Sequence, residues 1–153
     1  YSLGGNVLLK WLGEMKDACP LQGAVAVSVP FDLGLCADHL NRGLSRVYQR
    51  QFVHSLKETY ARKKPLGPLT SIRTIREWDD RVTAPIHGFA DAEDYYTRSS
   101  SKQYLRHITV PTLILHAADD PFMTADIIPA EEDLSATVTL EVSDLLMQPA
   151  TAS

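Results

Sequence analysis

Short apolar runs punctuate an otherwise mixed chain. Ala24-Val25-Ala26-Val27-Ser28-Val29 is nearly continuous in apolar and β-branched residues, and so is Val110-Pro111-Thr112-Leu113-Ile114-Leu115-His116. Such runs predict strands buried on both faces of a parallel sheet. Thr137-Val138-Thr139-Leu140-Glu141-Val142 predicts a further short strand. Near the start, Val7, Leu8, Trp11, Leu12 and Met15 recur at helical spacing and predict a helix with that face to bury. Pro20 ends it, because proline disfavours a helical residue before it.

Between the first and second strands the pattern changes. Polar and basic residues dominate Asn41 to Tyr48. Val47, Phe52, Leu56 and Tyr60 then predict an amphipathic helix ending in Ala61-Arg62-Lys63-Lys64, its cations read as a solvated helix end. Pro65, Gly67 and Pro68 break the chain. Ile72, Ile75 and Trp78 predict another short helix, residues 79–89 an ordered loop, and Asp91 to Tyr104 a polar helix. The region from about 33 to 106 reads as a helical insertion, a cap, between two strands of one sheet. Trp78 and the tyrosines are candidates for lining a pocket under it.

Composition narrows the class. The chain has 153 residues, 44% hydrophobic and 22% charged, the balance of a globular domain. A net charge of −4 gives no reason to expect nucleic acid as a partner. No apolar run approaches the roughly 18 residues that span a membrane, and no basic-then-apolar signal segment opens the chain. Cys19 and Cys36 read as reduced structural thiols of a cytoplasmic protein, since their spacing suits neither zinc nor a redox motif. There is no glycine-rich phosphate loop; neither metal nor organic cofactor is expected.

The chemistry concentrates at turns. Ser2-Leu3-Gly4-Gly5 supplies the second half of a G-x-S-x-G nucleophile elbow, in which a serine on a strained strand-to-helix turn meets substrate. The strain requires small neighbours, hence Gly4 and Gly5. The N–H of Leu3, directly after the serine, is a candidate oxyanion donor. The same residues also fit an ordinary helix start with Ser2 as its cap. Asp32 follows the first strand, where α/β proteins place their sites, and also suits a turn or cap. Ala117-Ala118-Asp119-Asp120-Pro121 follows the second strand. Its carboxylates could orient a histidine or simply form a type I turn.

Serine elbow, strand, helical insertion, strand, aspartate turn and strand follow one another in the order of the second half of an α/β-hydrolase. More closely, the chain resembles the YheT-like branch of those enzymes. The likeness is carried by Ser2-Leu3-Gly4-Gly5-Asn6, Val29-Pro30-Phe31-Asp32-Leu33, residues 83–89, Asp94-Tyr95-Tyr96 and residues 111–122, and runs to about residue 142. The resemblance implies a partial α/β-hydrolase fold and a Ser-Asp-His esterase or lipase-like enzyme acting on small-molecule esters or lipids. Ser2 would be the nucleophile and Asp120 the acid. Asp119 is the lesser candidate and Asp32 the third.

Two features depart from the family. Its histidine follows the last strand, whereas here no histidine follows His116, and His39, His54, His87, His107 and His116 all precede Asp120. His87 reads as a packing or hydrogen-bonding residue of the cap, and His116 as structural. The strands before the elbow, and the loop with the second oxyanion donor, are absent. The sequence therefore reads as a fragment, residues 1–153 of one hydrolase domain with an atypical tail at 143–153, inactive by itself. The alternative is a non-catalytic pseudoenzyme or interaction module that keeps the cap.

Overall fold

The structure, a computed structural model, describes residues 1–118, 120 and 125–143. The chain divides into two compact units, one of residues 1–32 with 99–153 and the other of residues 33–98.

The first unit opens with helix α1 (Leu3–Met15), followed by strand β1 (Ala24–Val27). Strands β2 (Thr112–Ala117) and β3 (Val138–Ser143) complete a parallel sheet of order β1-β2-β3. Ala26 pairs with Ile114, and Ile114 with Leu140. The predicted strands thus form, one or two residues displaced, and Ser143 belongs to β3 rather than to a tail. Residues 144–153 lie outside the described residues.

The expectation of strands buried on both faces is corrected. Along β2, Thr112, Ile114 and His116 are buried while Leu113 and Leu115 are half-buried. In β1, Ala26 is buried and Val25 is 57% exposed. Helix α1 covers the Ala26 side. A Cβ on Gly5 would lie 2.7 Å from Val29 Cγ2 and 3.7 Å from the Ala26 Cβ.

The buried face of α1 also differs from the predicted one. Gly5, Asn6, Leu9, Leu12 and Gly13 are buried, while Val7 is 60% exposed. The helix packs backbone-close against a 3-10 helix at Lys102–His107. A Cβ on Gly13 would sit 2.4 Å from the Tyr104 carbonyl oxygen. An apolar periodicity registers the leucines of this face but not its two glycines and its asparagine.

The second unit is helical. It holds α2 (Leu33–His39), α3 (Ser45–Ala61), α4 (Ile75–Trp78), α5 (Ala84–His87) and most of α6 (Ala92–Ser99). The stretch read as an ordered loop is instead a π-helical turn, Asp79–Thr83, continued by α5 and stopped by Gly88 at φ 77°. The helix predicted from Asp91 to Tyr104 is α6, with the separate 3-10 helix beginning at Lys102. Thr74 caps α4: its side chain accepts from the Glu77 N–H, and the Glu77 carboxylate accepts in return from the Thr74 N–H.

Val53, Ile72, Trp78 and Val82 form one core of this unit, and Tyr60 meets Trp78 edge-on at 5.9 Å. Leu33, Ala37, Ala92 and Tyr96 form another. Trp78 and Tyr96 are therefore core residues rather than pocket walls. On α3 the buried positions are Ser45, Gln49 and Val53, whereas Val47 and Phe52, predicted to face inward, are exposed. Gln49 explains the shift. Its amide donates to the Leu40 carbonyl and to Asn41, and accepts from the Ile75 N–H, so a polar clamp fixes which face turns inward.

Candidate active site

Ser2 has φ 51° and ψ −131°, a conformation that side-chain-bearing residues rarely hold. Neighbouring bonds keep it there. Its N–H donates to the Val27 carbonyl at 2.9 Å, and its carbonyl accepts from the Gly5 N–H at 2.8 Å. The bland alternative, Ser2 as helix cap, fails on two counts: a cap normally has extended dihedrals, and the Ser2 hydroxyl makes no capping bond. The side chain is exposed.

The glycines play different parts from those expected. Gly4 faces open space among the described residues, so it is Gly5, pressed on Val29, that the packing requires. Leu3 is the first residue of α1, and its N–H is one of those a helix leaves without an intrahelical partner.

Asn6 is a residue whose role sequence reasoning missed. It is buried, with its amide donating to the Ser99 carbonyl at 2.8 Å and its Oδ1 accepting from the Ser101 N–H at 2.8 Å. These bonds tie the turn to a segment more than ninety residues away. A polar residue inside an apolar helical pattern was the available signal.

The backbone ladder places the turns along one edge. Ser2 N–H reaches Val27, Ser28 N–H reaches the Leu115 carbonyl at 2.9 Å, and Ala118 N–H reaches the Ser143 carbonyl at 2.8 Å. The Ser2 turn, the ends of β1 and β2, and the approach to Asp120 thus share the carboxyl edge of the parallel sheet, where α/β proteins bind ligands. Two strand spacings, about 10 Å, separate the Ser2 and β2 positions across that edge. Asp120 is buried, and its N–H donates to the Ala117 carbonyl at 3.3 Å. Asp119 and residues 121–124 lie outside the described residues. Asp32 directly precedes α2.

The histidines are scattered. His54 is exposed 3.5 Å from Glu58, and His87, expected to pack or to hydrogen-bond in the cap, is exposed on α5. His39 ends α2 and His107 is exposed. His116 lies on β2, 4% exposed, with its ring centroid 5.8 Å from that of Phe31. Neither ring nitrogen has a hydrogen-bond partner among the described residues. Burial pushes its pKa below the ordinary histidine value, and the Asp120 charge opposes that only in part. Neutral imidazole is the form held at pH 7.

A strained serine turn opening a helix, set at the carboxyl edge of a parallel sheet, is the arrangement of an α/β-hydrolase. The relatives name the branch. The chain is 45% identical to the putative esterase YheT of Escherichia coli over 94% of its own length. It is 33% identical to a monoacylglycerol lipase of Saccharomyces cerevisiae over 92%, and 30% identical to the mouse phospholipase ABHD3 over 85%. These matches make the chain a YheT-like relative within the α/β-hydrolase superfamily. It spans 45% of the length of the first of these relatives and 34% of each of the other two. No family model matches the chain, and neither does any solved structure. Among the described residues no helix is long and apolar enough to cross a membrane, and no cluster of ligating side chains could hold a metal ion.

Proposed function

We propose that the protein to which this chain belongs is a serine hydrolase of carboxylic esters, with a short-chain ester or an acylglycerol-type lipid as substrate. The observation that carries the reading is Ser2, held at φ 51° on a strand-edge turn with its hydroxyl not engaged in capping. Relatives named as an esterase, a lipase and a phospholipase support the substrate class.

Ser2 Oγ would attack the ester carbonyl carbon while a histidine takes its proton. The Leu3 N–H would donate to the oxyanion that forms. Collapse would break the carbon–oxygen bond to the alcohol, which leaves with the proton from the imidazolium. Water would then release the acyl group from Ser2 by the same steps. Asp120, buried at the same sheet edge, would stabilise the imidazolium. The compact unit of residues 33–98, which lies in the chain between β1 and β2, would serve as most of the cap expected at about 33–106.

The base is the missing part. No histidine follows His116 in the sequence, and His116 is buried within four residues of Asp120. The 153-residue polypeptide by itself is therefore expected to turn over no ester, since loss of triad members costs a factor of about 10⁴ to 10⁶. The test is hydrolysis of p-nitrophenyl butyrate by purified protein, with Ser2→Ala alongside. A Ser2-dependent rate from the 153 residues overturns the inactivity. A parent chain that supplies a downstream histidine and still shows no Ser2-dependent rate overturns the esterase reading and favours the non-catalytic module.

A further inference from the structure

Charge is unevenly distributed along the chain. Residues 39–76 carry nine of its 15 Lys and Arg and one, Glu58, of its 19 Asp and Glu, within a chain of net charge −4. Three of the nine have structural work. Lys57 donates to the carbonyls of Thr70 and Ile72, Arg73 to that of Thr70, and Arg76 pairs with Asp38 and Glu93. The other six, at positions 42, 46, 50 and 62–64, are exposed and make no ion pair among the described residues.

The same stretch exposes apolar side chains. Leu44 is 84% exposed, Val47 62%, Tyr48 50% and Phe52 49%. At 100° per residue, Leu44, Tyr48 and Phe52 form one row along α3, and Arg46 and Arg50 form another on the opposite shoulder. Val47 and Gln51 lie between the rows, and the Ser45–Gln49–Val53 face is buried behind them. An outward surface that is both cationic and apolar suits neither water alone nor an apolar core.

We propose that α3 with the basic run at 62–64 is a docking surface for a membrane bearing anionic lipid headgroups. The cations would be drawn to the headgroups, and Leu44, Val47, Tyr48 and Phe52 would enter the headgroup–acyl boundary, where aromatic and aliphatic side chains are favoured. A second copy of the chain is a poorer occupant, because a two-fold contact sets the same cations against themselves. Nucleic acid would satisfy the cations and leave the apolar row without a role. The inference does not rest on the esterase reading, since it needs no turnover.

The experiment is flotation of the purified 153-residue chain with phosphatidylcholine vesicles and with vesicles containing roughly 30% phosphatidylserine. Binding to the second and not the first is expected, weakening as salt is raised. Arg46→Glu with Arg50→Glu should weaken binding about tenfold or more, since each cation near an anionic surface contributes substantially. Leu44→Ser with Val47→Ser should also weaken it, and circular dichroism should be unchanged in both. If the charge reversal fails to fold, Arg62→Gln with Lys63→Gln and Lys64→Gln serves the same purpose beyond the end of α3. The proposal is overturned if the wild-type chain ignores phosphatidylserine, or if the charge variants bind as the wild type does. It is overturned too if the Leu44 and Val47 variant binds undiminished while duplex DNA competes, which marks a generic polyanion site. A dimer that this variant dissociates, without vesicle binding, identifies a second copy as the occupant.

Discussion

Residues 1–32 with 99–153 hold four of the chain's 15 Lys and Arg but 11 of its 19 Asp and Glu; residues 33–98 hold the other 11 and eight. The first unit is a parallel sheet held by backbone register, with helix α1 pressed on it through glycines. The second is a set of short helices held by side-chain clamps: Gln49 to Leu40 and Asn41, Asp79 to Tyr96 and Thr83, Arg76 between two carboxylates. Backbone register fixes a strained turn at a defined place, which chemistry needs. Side-chain clamps fix a shape while leaving the surface composition open to change, which a binding surface needs.

The chain's two tryptophans fall one in each unit, Trp11 on α1 and Trp78 in the helical core, so each unit can be followed alone in single-tryptophan variants. The largest effect is expected from Gly13→Val. Its side chain meets the Tyr104 backbone, which cannot yield, and should cost about 3 kcal/mol. Denaturant titration should show the loss through Trp11, and an equal loss through Trp78 would break the contrast by making the units one cooperative body. Asn6→Ala should come next, at about 2 kcal/mol, because it leaves the buried Ser101 N–H without its acceptor. A cost near zero in the Trp11 titration would mean that water replaces the amide.

Asp79→Asn should be the smallest and should differ in its pH dependence. Burial raises the Asp79 pKa above the ordinary carboxylate value, despite the Tyr96 hydroxyl that donates to it at 2.7 Å. The folded state therefore keeps this proton to higher pH than the unfolded chain. The stability so gained is present below the ordinary carboxylate range and is lost as pH rises from there through the raised folded value. The amide removes that slope. Melting followed through Trp78 should fall with pH across this window in the wild type and flatten in the variant. Identical slopes would assign the dependence to other groups.

What was legible in the sequence follows from the same contrast. The parallel strands were legible as apolar, β-branched runs at Ala24–Val27 and Thr112–Ala117, but which of their faces is buried was not. The serine turn was legible as residue types but not as strain, since the Ser2 dihedrals are imposed by Val27 and by the start of α1. The inner face of α1 was misread because close approach selects Gly5, Asn6 and Gly13, which carry no hydrophobic signal. The 79–89 stretch was misread because polar residues and a proline mask a π-helical turn whose Asp79 and Thr83 side chains bond each other. Asp120 was legible as an acidic turn, but its burial was not.

The Asn6 bonds to Ser99 and Ser101 bear on the protein's synthesis. On the ribosome, Asn6 of the serine turn is synthesised 95 residues before Ser101 of its brace. At about 5–20 residues per second, the nascent chain grows for roughly 5–20 s before residue 101 can meet Asn6. Through that interval the Ser2 carbonyl can meet the Gly5 N–H and the Ser2 N–H can meet the Val27 carbonyl, while the turn remains unbraced on the Asn6 side. Conditions that slow elongation through residues 33–98 lengthen this exposure, and a chaperone that engages early would meet α1 with its glycine face uncovered.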